Sequence, residues 1–302
     1  MRIIRCLPYV GIFCFLLSGA ACTAATPKVF NGARAHPHVI AQMNFGARPV
    51  GSAALRATGD YILGQLKESQ WTTETQEFTH SNVPVRNIIG KNGGGRGPLI
   101  ILGAHYDTRP RADQDKIRPD QPVLGANDGA SGVAVLLELA RTLDLSKLKN
   151  EVWLVFFDAE DNGDLPGCVV APPPCDHTPW RWSVGAEHFA GKLTVKPEFV
   201  VIVDMIGDAD QNIYYELNSD MQLQQQLWGI AAQLGFDKQF IAQSKWSIFD
   251  DHTPFWQRGI RAVDIIDFDY PYWHTTQDTA DKISGDSLER VGQVLQTWLE
   301  NK

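Results

Sequence analysis

At 302 residues the chain is long enough for one large α/β domain with a substantial core, or for two small domains. Its formal net charge is -8, from 35 acidic against 27 basic residues. No cluster of Lys and Arg concentrates positive charge, which argues against a nucleic-acid surface.

Arg2 and Arg5 precede an apolar run from Leu7 to Leu17, and small residues follow it, so residues 1–22 read as an export signal. The ending Ser18-Gly19-Ala20-Ala21-Cys22 resembles a lipoprotein cleavage site, with Gly19 where leucine is usual. On that reading Cys22 becomes the lipid-bearing first residue, and ordinary cleavage between Ala20 and Ala25 is the alternative. Either way the expected location is periplasmic or extracellular, with membrane contact only through a lipid anchor at Cys22. No later segment has the roughly 20 uninterrupted apolar residues of a spanning helix.

Residues 23–44 show little periodicity and are expected as a linker or tail, with residues 45–302 forming a single catalytic domain. Ser52 is a plausible N-cap for a helix whose apolar face carries Leu55, Tyr61, Ile62 and Leu66. Strand patterns follow at Thr72–Thr79, Val85–Gly90 and Pro98–Ala104, the last continuously apolar as a central strand covered on both faces would be. A glycine loop, Gly125 to Gly132, leads into an apolar helix over Val133–Leu145. Glu151–Phe157 and Pro197–Ile206 read as further buried strands, and Arg261–Ile266 as another. Met221–Leu234 and Ser287–Leu299 read as amphipathic helices. Cys168 and Cys175 flank a Pro-rich spacer, and in an exported chain this pair is expected to close a local disulfide. Strands alternating with helices predict an α/β fold, a three-layer sandwich with a central mixed, mostly parallel sheet flanked by helices.

In such folds ligands bind where loops leave the carboxyl ends of the strands. The polar residues His105, Asp128, Glu160, Asp161, Asp204 and His274 fall at or beyond those ends. Singly, each has an ordinary role as a cap, a turn residue or a packed histidine. Together they would bury charge at a cost of several kcal/mol unless a cation compensates them. Imidazole nitrogen and carboxylate oxygen without cysteine suit a catalytic zinc with an open position. The adjacent pair Glu160 and Asp161 suggests divided labour, one carboxylate for the metal and one for protons.

The ordered motifs His105-Tyr106-Asp107-Thr108, Gly125 to Val133, Phe156 to Asp161, Asp204-Met205-Ile206-Gly207 and Trp273 to Thr279 resemble the zinc aminopeptidase and glutaminyl cyclase superfamily. On the aminopeptidase branch the resemblance implies two zinc ions bridged by Asp128, one held also by His105 and Asp204, the other by Asp161 and His274, with Glu160 activating water. On the cyclase branch it implies one Zn2+ on Asp128, Asp161 and His274, and Glu160 carrying a proton between the α-amine of an N-terminal glutamine and the departing ammonia. Trp273 beside the histidine ligand and the run Asp250-Asp251-His252-Thr253-Pro254-Phe255 resemble the cyclase pattern. There Asp250 shares a proton network with Asp204 and Glu160, and Trp273 and Trp182 wall the substrate pocket. Trp180 and Trp182 fit core or rim packing equally well. Asp161 replaces a glutamate of the animal cyclases, and Asp264 replaces a histidine.

The expected function is a zinc-dependent glutaminyl-peptide cyclotransferase acting on peptide or protein N-termini. An exported zinc aminopeptidase is the alternative, and a non-catalytic binding domain on the same fold is the third.

Overall fold

The structure, a computed structural model, describes residues 28–92, 96–165 and 180–302. The expected export signal, Cys22, and the pair Cys168 and Cys175 lie outside the described residues.

In chain order the elements are α1 (Gly32–Phe45), α2 (Ala53–Glu68), β1 (Thr72–His80), β2 (Val83–Asn92), β3 (Leu99–His105), α3 (Ala130–Thr142), β4 (Glu151–Phe157) and α4 (Val184–Lys192). They continue with β5 (Phe199–Asp204), β6 (Ile213–Glu216), α5 (Met221–Gln233), β7 (Phe240–Trp246), α6 (Thr253–Trp256), β8 (Ala262–Ile266) and α7 (Gly285–Asn301). Six strands form one sheet in the order β1-β2-β4-β3-β5-β8. The four from β4 to β8 run parallel, while β1 and β2 join antiparallel at one edge.

Strand β3 is buried throughout, so its alternation serves two covered faces rather than core and solvent. Ile100, Leu102 and Ala104 join Leu154, Phe156, Val201 and Val203 in the core under α1, α3 and α7. Leu99 and Ile101 join Val155, Phe157, Val200 and Ile202 against Ala186, Phe189 and Ala190 of α4. This is the expected three-layer sandwich. Because the four central strands are parallel, their carboxyl ends meet along one edge, which places His105, Asp204 and the Asp158–Asp161 turn together.

Close approach shapes the glycine loop. Gly129 caps α3 at φ 94, and a Cβ there would meet the Asp107 carbonyl oxygen at 2.4 Å. Gly132 lets α3 sit on β5, since its Cβ would lie 2.3 Å from the Val203 carbonyl oxygen.

One expectation fails. The stretch 23–44 is not a linker throughout, because Gly32–Phe45 forms α1, which buries Ala35, Val39 and Gln42. Asn31 caps it by accepting from Arg34 N–H, and Gln42 donates to the Ala130 carbonyl at the start of α3. The buried side is built from alanine, glycine and glutamine around one valine, so its hydrophobic periodicity is thin. Ser52 caps α2 as expected, accepting from Leu55 N–H at 3.0 Å.

Candidate metal centre and active site

Two groups of ligand atoms converge at the carboxyl edge of the sheet: Asp128, Asp161 and His274 form one, and His105, Asp128 and Asp204 form the other. In the first, His274 Nε2 lies 3.0 Å from Asp161 Oδ1 and 3.6 Å from Asp128 Oδ2. In the second, His105 Nε2 lies 3.1 Å from Asp204 Oδ1 and 3.2 Å from Asp128 Oδ1. Asp128 belongs to both.

The local backbone delivers these side chains. Asp107 accepts the N–H groups of Glu160 and Asp161, each at 3.1 Å, and so fixes the turn that leaves β4. Ala159 in that turn has φ 61, a conformation an L-residue adopts only when its surroundings hold it. Asp278 does the same for the glycine loop, accepting from Asn127 N–H at 2.8 Å and Asp128 N–H at 3.1 Å while Tyr270 Oη donates to it at 2.7 Å.

The donor set fits a metal ion. Asp128 Oδ2 and both carboxylate oxygens of Asp161 are buried with no hydrogen-bond partner, an orphaning that native interiors rarely leave unanswered. Electrostatics agree: burial raises Asp161 to about 6 with Asp128 adding to the shift. Burial would lower His274, yet Asp161, Asp113 and Asp128 carry it up to about 9. Burial likewise raises Asp204 to about 7, against the opposing pull of His105. So much concentrated negative charge around two imidazoles is where a cation belongs.

Glu160 is absent from both ligand groups. Burial pushes its carboxyl well above the usual range, with Asp250, Asp161 and Asp251 pushing the same way and His105 opposing. The two adjacent carboxylates are thus distinguished by environment.

Above them lies a cavity of about 270 Å³ lined by Asp128, Glu160, Asp161, Asp204, Asp250 and His274 at its polar end and by Trp182, Trp246, Ile248, Phe249, Phe268 and Trp273 around its wall. Trp273 stacks on the His274 ring at 3.9 Å between centroids, and Trp182 lies nearly parallel to it at 5.9 Å. Trp180 is instead buried against His80 and takes no part in the wall. His105 sits behind the cavity rather than on it. Asp250 faces the cavity, and its charge adds to the effect of burial in raising Glu160, Asp204 and Asp264, the last of which lies beside His252. The charge coupling around Asp250 therefore reaches Asp264, the position where this chain departs from the animal cyclases.

Sequence reasoning missed the wall segment Trp246 to Phe249. It also missed Arg109 and Asp113, which stand next to the candidate ligands Asp161 and His274. Their only sequence signal is that a buried-charge residue follows the His105 motif.

The Peptidase family M28 model matches residues 87–299 of the chain. A glutaminyl-peptide cyclotransferase of Drosophila melanogaster is 26% identical over 282 residues, covering 83% of this chain and 76% of the relative. Among solved structures, Tannerella forsythia glutaminyl cyclase is 30% identical with a TM-score of 0.82, covering 91% of this chain and 99% of that one. A Zn-dependent exopeptidase of Parabacteroides distasonis is also 30% identical with a TM-score of 0.82, covering 92% of this chain and 100% of that one.

Proposed function

The chain belongs to peptidase family M28, and from that premise we propose that it is a zinc-dependent glutaminyl-peptide cyclotransferase, converting N-terminal glutamine of peptides to pyroglutamate with release of ammonia. The observation that carries this reading is the small, aromatic-walled cavity over the candidate metal ligands. At about 270 Å³ it is smaller than the usual range for drug-sized ligands, and it suits one side chain with its α-amine. The likeness to both a glutaminyl-peptide cyclotransferase and a bacterial glutaminyl cyclase supports it.

Asp128, Asp161 and His274 would hold one zinc, because nitrogen and oxygen donors with room for a further ligand suit that metal. A bound zinc supplies Lewis acidity toward the side-chain amide carbonyl of the substrate. Trp182 and Trp273 enclose the glutamine side chain and exclude water, which would otherwise compete with the α-amine. Glu160 accepts the proton that the attacking amine loses as the new nitrogen–carbon bond forms, and returns it to the amide nitrogen as its carbon–nitrogen bond breaks. No water is consumed and no net proton is released. A buried carboxyl whose affinity for protons is raised by its surroundings is suited to both halves of that transfer. Burial is the main cause of that rise, and the neighbouring Asp250 adds to it.

The second reading is a di-zinc aminopeptidase, favoured by the group His105, Asp128 and Asp204 and by the likeness to a Zn-dependent exopeptidase. One experiment separates them. The zinc-loaded protein is incubated with peptides beginning in Gln, Leu or Ala, and ammonia and free amino acids are both quantified. Cyclisation gives ammonia from the Gln peptide alone. Free residues from the Leu or Ala peptides would sink it. The basic and apolar pattern of residues 1–22 supports placement outside the cytoplasm, either anchored by a lipid at Cys22 or free after ordinary cleavage between Ala20 and Ala25, and cell fractionation of the wild-type chain beside a Cys22→Ala variant tests the placement and the anchor.

A further inference from the structure

Three consecutive residues in the loop after β3 reach the turn that carries His274. Asp113 Oδ1 stands 3.3 Å from His274 Nδ1. Gln114 N–H donates to the His274 carbonyl at 3.2 Å. Asp115 accepts from Thr276 N–H at 3.1 Å and from its hydroxyl. The turn needs such a strap, because His274 has φ 53 and no glycine eases that left-handed conformation.

Behind Asp113 stands Arg109, a buried guanidinium whose Nε and Nη2 donate to the two oxygens of Asp113 at 3.0 and 3.1 Å. Its third nitrogen, Nη1, donates to the Gly163 carbonyl at 2.8 Å and lies 3.7 Å from Asp161 Oδ1. Its face lies 4.6 Å from the Trp182 ring. A single cation therefore braces one metal ligand directly, a second through Asp113, and the cavity wall between them. The Nδ1 contact falls short of hydrogen-bond geometry and leaves that buried nitrogen without a hydrogen-bond partner, with the Asp113 carboxylate placed beside it. The bidentate fork, not the histidine, is what holds Asp113 in place.

We propose that Asp113, fixed by Arg109, is the positioning residue that sets the ring orientation and tautomer of His274, keeping the proton on Nδ1 and presenting Nε2 to the metal. An imidazole donates from one nitrogen and coordinates through the other, so a carboxylate at Nδ1 decides which nitrogen is free. Nε2 is the atom that faces Asp128 and Asp161. The inference rests on the metal reading of these ligands and not on cyclisation, and metal affinity is measured without substrate, so the two can fail separately.

The test is zinc affinity of the full chain, by competition with a chromogenic chelator, in Asp113→Asn, Asp113→Glu, Arg109→Lys and Asp115→Asn. Asp113→Asn is expected to loosen zinc about 10- to 100-fold, the usual cost of losing such an outer partner. Asp113→Glu should recover part of that loss, and Arg109→Lys, which keeps the charge but not the fork, should loosen zinc as well. Asp115→Asn weakens the same strap without touching His274, so it should lower Tm and cost clearly less zinc affinity than Asp113→Asn does. The visible absorption of the cobalt(II)-substituted chain should change in Asp113→Asn and not in Asp115→Asn. Wild-type zinc affinity in Asp113→Asn, or an equal loss in Asp115→Asn, would overturn the proposal. If Asp113→Asn does not fold, Arg109→Lys and Asp113→Glu decide, and wild-type affinity in both overturns it.

Discussion

Glu160 and Asp161 are neighbours in sequence with different surroundings, and the division of duties proposed for them rests on what faces each. Asp161 meets His274 and shares a ligand group with Asp128, whereas Glu160 meets the cavity with Asp250 at its side. Glu160→Gln should therefore keep zinc and lose about 100- to 10,000-fold in turnover, the usual worth of a positioned acid/base. Asp161→Asn and His274→Ala should lose zinc itself. Metal content by elemental analysis beside steady-state rates checks both, and a near-normal rate in Glu160→Gln would remove it from the proton path. These residues were legible in the sequence because charge at the end of an all-apolar strand is conspicuous. Arg109 and Asp113 were not, since their meaning arises only when the loop after β3 folds onto the distant His274 turn.

At the scale of elements, the central strands and the long helices were legible for a simple reason: burial on both faces, or a strong apolar stripe, writes itself into composition. Strand β7 is mostly exposed and β6 has only four residues, so neither carries a pattern. The wall segment that follows β7 was lost with them. Helix α1 was lost differently, because it packs by closeness rather than by bulk. A Cβ at Gly32 would meet the Gly285 carbonyl oxygen at 1.9 Å, so α1 starts in backbone contact with the start of α7. Gly32→Ala should then destabilise the protein by about 1–3 kcal/mol, the common cost of overpacking. Urea unfolding measures it, and an unchanged midpoint would mean that this segment behaves as the tail its composition suggests.

Taken as a whole, the molecule concentrates carboxyl groups at one edge of its sheet and beneath it, and this sets how its stability must depend on pH. Burial raises Asp204, Asp267 and Asp278 to about 7 and Asp161 to about 6. Unfolded carboxyls titrate near ~4. Between these limits the folded metal-free chain binds more protons than the unfolded chain, so stability falls as pH rises from about 4 to 7. His274, held up to about 9 chiefly by Asp161 against burial, continues the same trend, its contribution being complete below about 6.5 and lost through 9. Glu216 and Asp220 act oppositely, because burial is outweighed at Glu216 by His252 and because Arg261 lowers Asp220. Their contribution is present above the ordinary carboxyl range and fades only in stronger acid, which leaves the metal-free optimum on the acid side of neutrality. Zinc reverses the slope, since its ligands must shed protons to bind it and binding to the folded state stabilises that state by mass action. Thermal melts in a chelator should therefore give a Tm at pH 8 below that at pH 5 by about 3 °C or more, roughly the shift of one kcal/mol at this size. With excess zinc the gap between loaded and stripped protein should widen over the same range. A stripped chain that melts higher at pH 8 than at pH 5 would mean that the buried carboxyls are compensated without a metal.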